Sequence, residues 1–125
     1  MNNIRLGVVM DPIGQITPAK DSTLAMLLEA QVRGYDIRYF EQSDLRLIDG
    51  EPWGLGRALS VADDPTSWYD LGNAIDQPLA DLDVILMRKD PPFDTEYIFT
   101  TYILERAELA GTLQLKIVSR LAAAP

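Results

Sequence analysis

Histidine and cysteine are both missing from the 125 residues. Their absence removes the usual zinc ligand sets, thiol nucleophiles, disulfides and every mechanism that turns on an imidazole base. Carboxylates, lysine, arginine, tyrosine and hydroxyls remain for chemistry. No apolar run approaches the ~20 residues that span a bilayer; the longest, 117–124, is interrupted by Arg120. The N-terminus reads as a strand, with no charged leader before an apolar stretch, so a soluble, cytoplasmic protein is expected. Basic residues are few, eleven against nineteen acidic ones, for a net charge of −8. That balance repels phosphate backbones and anionic lipid, so neither nucleic acid nor membrane is an expected partner. A glycine-rich phosphate loop of either usual spacing follows none of the expected strands, which leaves nucleotide binding without support.

What is present is the material of one ordinary domain, 47% hydrophobic and 24% charged, enough to bury a single core. Residues 4–10 are an apolar, β-branched run stopped at Asp11-Pro12, the pattern of a buried strand. Asp21-Ser22 offers a helix N-cap, Leu24, Leu27, Leu28 and Gln31 follow at helical spacing, and Gly34 supplies a left-handed C-cap. Tyr35 to Phe40 then alternates as a second strand, which makes a right-handed βαβ unit with parallel strands. Leu45–Ile48, the Asp49-Gly50 turn and the stretch beyond read as a hairpin whose second strand is weakened by Pro52 and two glycines. Between 63 and 81, Asp64-Pro65-Thr66 suggests a short helix through Trp68, and Gln77-Pro78-Leu79 a loop. Asp83 to Met87 is another buried strand, and Asp94-Thr95-Glu96 caps a helix carrying Ile98, Tyr102, Ile103 and Ala107 down to Gly111. Leu113 to Val118 closes as a strand. Alternating β and α elements predict an α/β fold: an open, mainly parallel, Rossmann-like sheet of four or five strands, with flanking helices and a hairpin insertion.

In such a sheet ligands bind beyond the carboxyl ends of the strands, and two loops end there, Asp11 to Lys20 and Arg88 to Asp94. The first leads through Lys20, Asp21, Ser22 and Thr23 into a helix start, where free N–H groups and the helix dipole favour an anion such as a carboxylate. Plain capping accounts for the same residues. The second places the cations Arg88 and Lys89 beside Asp90, braced by Pro91-Pro92, a mixed-sign set suited to a zwitterion. A solvated charge pair accounts for that triplet equally. Asp63, Asp64, Asp76, Asp81 and Asp83 lack the spacing of a calcium loop and read as acidic surface, so no metal site is expected. The Ile98, Tyr102 and Ile103 stripe is at core-facing spacing, for packing inside or against a neighbouring subunit.

Three strings carry a resemblance. Gly7 through Ile13, Lys20 through Gln31 and, above all, Asp81 through Asp94 resemble the opening domain of bacterial glutathione synthetases, and Tyr102–Ala107 through Gly111-Thr112-Leu113 continues it. The likeness covers about residues 4–113. It implies a three-domain ATP-grasp ligase in which ATP phosphorylates the cysteinyl carboxylate of γ-glutamylcysteine and the glycine amine attacks that acyl phosphate, with magnesium balancing the phosphate charge. The leading domain is then a Rossmann-like, pre-ATP-grasp unit on the substrate side of the cleft. The nucleotide clamp and metal ligands belong to the later domains, so ATP and magnesium are cofactors of the full-length family and none is expected on this chain.

After Leu113 the pattern departs. The family continues through an apolar strand to an Asn-Lys-Pro linker, whereas 114–125 end in Ala-Ala-Ala-Pro. Residues 1–118 are therefore expected to be the N-terminal domain and 119–125 a divergent tail, a chain truncated before its ATP-grasp domains and inactive by itself. The resemblance implies Asp11, Lys20, Asp21, Ser22, Arg88, Lys89 and Asp90 as the dipeptide-facing residues, with weak γ-glutamylcysteine binding and no catalytic residue. The missing ATP-grasp domains and a second copy of the chain are the expected protein partners. A non-catalytic assembly module derived from that enzyme is the competing reading.

Overall fold

The computed structural model of the chain describes residues 4–88, 95–109 and 117–119. Strand β1 (Arg5–Met10), helix α1 (Ser22–Val32) and strand β2 (Asp36–Phe40) form the expected parallel βαβ unit, with Arg5 opposite Asp36 and Val9 opposite Phe40. The Asp21 carboxylate accepts from the Leu24 N–H at 2.9 Å and so caps α1. At the other end Gly34 sits at φ +80°, its N–H donates to the Gln31 carbonyl and that of Tyr35 to the Ala30 carbonyl. That pair of bonds is a Schellman motif, and the left-handed angle is why glycine ends the helix.

Strands β3 (Leu45–Ile48) and β4 (Glu51–Val61) form the expected hairpin. Asp49 and Gly50 both take positive φ, 51° and 81°, the geometry whose twist matches the flanking strands. The second strand is not weakened, however; it is an eleven-residue strand. Gly54 and Gly56 lie under the Phe40 ring, where an added Cβ would come within 2.6 and 2.9 Å of it. The two glycines make room for a core aromatic, and the burial of Phe40 outweighs the strand-weakening tendency of glycine.

Strand β5 (Tyr69–Pro78) pairs antiparallel with β4 along most of its length. The helix expected from Asp64 to Trp68 does not form. The Asp64 carboxylate instead accepts from the Thr66 N–H at 2.9 Å, the Thr66 hydroxyl at 3.0 Å and the Ser67 N–H at 3.3 Å. These local bonds satisfy the backbone in a turn and compete with helix formation. Gln77 and Pro78 close β5 and are not a loop.

Strand β6 (Val84–Arg88) pairs parallel with the other edge of β1, helix α2 (Thr95–Leu109) follows, and β7 (Ile117–Ser119) pairs parallel with β6. Residues 113–116 of the expected last strand lie outside the described residues. The order is β3-β4-β2-β1-β6-β7, with β5 on β4. The sheet thus has seven described strands, and it is mixed: β1, β2, β6 and β7 are parallel, while β3, β4 and β5 join antiparallel. The fold is α/β as expected, with more antiparallel sheet than four or five mainly parallel strands allow.

The chain leaves β1 for β2 in one direction across the sheet and β6 for β7 in the other. Right-handed crossovers then place the two helices on opposite faces. On the α1 face, Leu24, Leu27 and Ala30 pack on Leu6, Val8, Met10, Ile37, Tyr39 and Leu86. On the α2 face, Ile103, Leu104 and Ala107 pack with Val9, Phe40, Ile85 and Met87. The strict alternation along β1 and β6 is the period of two expected of strands covered on both sides. Of the expected α2 stripe, Ile103 and Ala107 are buried, but Ile98 and Tyr102 face outward at 54% and 49% exposure. Those two positions fall on the side of the helix turned away from the sheet.

Candidate functional site

The reversal of crossover direction occurs between β1 and β6, and an open α/β sheet has a crevice at the carboxyl ends of the strands at such a point. A cleft of about 350 Å³ lies there. Met10 and Arg88 are register partners at the ends of the two strands, and both line it.

Arg88 continues the row of Val84 and Leu86, so its side chain emerges on the α1 face, directly toward the first turn of α1. Its Nε donates to Thr23 Oγ1 at 3.2 Å and its Nη2 to Ser22 Oγ at 3.1 Å. Only 9% of Arg88 and 1% of Thr23 is exposed. A guanidinium taken out of water is stable only where its donors find acceptors, and the two hydroxyls fix the plane of the fork.

The opposite wall is the segment after β1. Asp11, Pro12, Gln15, Ile16 and Thr17 line the cleft, followed by Lys20 and Asp21 at the start of α1. Arg88, Lys20, Asp11 and Asp21 therefore line one small space, a mixed-sign site beside the positive end of a helix dipole. Such an arrangement can hold a small molecule carrying both carboxylate and ammonium groups, the carboxylate through paired N–H bonds from arginine. Its described lining of carboxylates, ammonium, guanidinium and hydroxyl groups can bind and orient a ligand.

Of the residues singled out in the sequence, Asp11, Lys20, Asp21 and Arg88 come together on this cleft, and Ser22 reaches it through Arg88. Lys89 and Asp90 lie outside the described residues. Asp21 serves as the helix cap through one carboxylate oxygen while lining the cleft. Gln15, Ile16 and Thr17 were not singled out individually, although they lie within the loop that the strand-end argument selects. The acidic residues read as surface have local roles: Asp64 holds a turn, Asp76 pairs with Arg46, and Asp83 accepts from the Arg5 N–H at 2.9 Å. Among the described residues no three carboxylates stand together as metal ligands, and no helix is long and apolar enough to cross a membrane.

Two residues with no assignment from sequence hold the first loop. The Tyr39 hydroxyl accepts from the Ile13 N–H at 3.0 Å and donates to the Glu41 carboxylate at 2.6 Å. Trp68 Nε1 donates to the Ile13 carbonyl at 2.9 Å. Burial, followed by the bond to Glu41, pushes the Tyr39 phenol well above its ordinary range. No local signal in the sequence marks either contact, since the partners are 26 and 55 residues apart.

Comparison with known proteins matches residues 4–120 to the family model described as the N-terminal domain of prokaryotic glutathione synthetase. The chain is 62% identical over 110 residues to the glutathione synthetase of Escherichia coli O127:H6, 60% to that of Salmonella typhi and 56% to that of Shewanella oneidensis. Each match covers 88% of this chain and 35% of the relative. The chain thus spans about a third of the length of these curated relatives.

Proposed function

The chain belongs to the family of prokaryotic glutathione synthetase N-terminal domains, and from that premise we propose that it is the substrate-side domain of such an enzyme, its cleft a seat for γ-glutamylcysteine. The observation that carries this reading is Arg88: a buried guanidinium at the switch point, aimed by Ser22 and Thr23 into a mixed-sign cleft. γ-Glutamylcysteine bears two carboxylates and one ammonium. Arg88 and Lys20 suit the former, Asp11 and Asp21 the latter, and Lys89 and Asp90 extend the set along the chain. The role of these residues is to bind and orient the dipeptide.

Ligation of the dipeptide to glycine needs ATP and magnesium, and the chemistry they supply is activation of a carboxylate as an acyl phosphate. The described residues contain neither a phosphate loop nor a carboxylate cluster suited to hold them. On this reading the 125 residues bind dipeptide weakly, form no peptide bond alone and work in the cytoplasm. Calorimetric titration of the folded chain tests this: weak γ-glutamylcysteine binding with no heat from ATP and magnesium is expected, and ATP binding would overturn it.

A second reading, a non-catalytic assembly module, is favoured by the outward-facing Ile98 and Tyr102, one helical turn apart on α2. Size-exclusion chromatography separates the two. A dimer that persists on dilution and is lost in Tyr102→Glu supports assembly; a monomer at all concentrations removes it.

A further inference from the structure

The connection between β4 and β5 and the first residue of β5 supply no lining residue to the cleft, yet they touch the cleft's wall at two adjacent points. Trp68 reaches the Ile13 carbonyl, and the Tyr69 hydroxyl lies where a Cβ on Gly14 would stand only 2.8 Å away. From β2, Tyr39 takes the Ile13 N–H. Ile13, 1% exposed, therefore has both backbone groups held by side chains distant in sequence, one from β2 and one from the β4–β5 connection. Its sequence neighbours Asp11, Pro12, Gln15, Ile16 and Thr17 are the wall itself.

A buried backbone group must keep a partner or bear the full desolvation cost, so the segment holds its shape while both bonds persist. The anchor is in turn anchored. The Gln31 side-chain amide donates to the Val61 carbonyl at 2.7 Å and accepts from the Val61 N–H at 2.8 Å, and the Ala62 N–H donates to the Trp68 carbonyl at 2.9 Å. Helix α1 thus fixes the end of β4 from which Trp68 hangs.

We propose that Trp68 and Tyr39 are positioning residues for the cleft: by clamping Ile13 from two sides they hold the 11–17 wall in its ligand-binding shape. The inference rests on the reading that this cleft takes γ-glutamylcysteine, but its structural half can be measured without ligand. Trp68→Phe and Tyr39→Phe each remove one hydrogen-bonding group and keep an aromatic ring in place.

In the unliganded 125-residue chain, amide exchange across 13–17 should quicken by roughly five- to tenfold in either variant, with exchange in β1 unchanged. Affinity for γ-glutamylcysteine should fall in step. Unaltered exchange in both variants overturns the clamp, and faster exchange with unaltered affinity overturns its role in binding. Should the unmodified chain bind no dipeptide while exchange still responds, the clamp stands and the assignment of the ligand falls.

Discussion

The parallel half of the sheet and its antiparallel half stand in different relations to the cleft. From the parallel half, the end of β6 and the segment that leads from β1 into α1 supply the charged side chains described as lining it. From the antiparallel half, the β4–β5 ribbon lines nothing but braces the wall through Trp68 and Tyr69. Tyr39 sits in β2, at the seam where the two halves meet. Chemistry and shape of the cleft are thus carried by different parts of the chain, and they can be perturbed separately.

The largest separable effect is expected from the ribbon. In Gly54→Ala the new Cβ would meet Phe40 at 2.6 Å and Leu79 at 3.0 Å. Phe40 is 1% exposed and cannot swing out, so overpacking should cost about 1–3 kcal/mol of stability. Denaturant unfolding measures this, and dipeptide affinity of the folded fraction should be unaltered. A change in affinity without loss of stability would dissolve the distinction between the halves.

A smaller effect is expected at the seam. The folded Tyr39 phenol has its pKa raised by burial and then by its bond to Glu41, above the ~10 of an unfolded tyrosine. Below about pH 10 both states keep the proton and the stability is intact. As pH rises from there toward the folded value, the unfolded chain releases a proton that the folded chain retains, so stability falls. The slope from this one group is at most ~1.4 kcal/mol per pH unit. Melts at pH 9 and pH 11 should show a smaller alkaline loss in Tyr39→Phe than in the unmodified chain, and equal losses would remove Tyr39 as its source.

The same division governs what could be read in advance. Strand β1, the Asp21 cap, the Gly34 terminus, the Asp49-Gly50 turn and β6 are set by local chemistry, and each stands where its residues indicate. Arg88 could be nominated because strand ends at a crossover reversal are where open sheets bind ligands. Its hydroxyl partners from α1 could not, since they depend on how a helix 65 residues away docks.

The ribbon was illegible for a related reason. Residues of β5 are exposed on both sides, so no apolar alternation marks the strand. The glycines of β4 read as weak points until Phe40 is placed over them. Ile98 and Tyr102 share a face with each other, but at about 100° per residue they lie roughly 100–180° round the helix from Ile103 and Ala107, so when those two dock on the sheet Ile98 and Tyr102 turn outward.

The most direct measurement is a calorimetric comparison of γ-glutamylcysteine binding by the unmodified chain and by Arg88→Ala, both verified as folded. Loss of a guanidinium that pairs with a ligand carboxylate should weaken binding by ~2 kcal/mol or more, about thirtyfold. Equal affinity in the two chains would contradict the assignment of the switch-point cleft as the dipeptide seat.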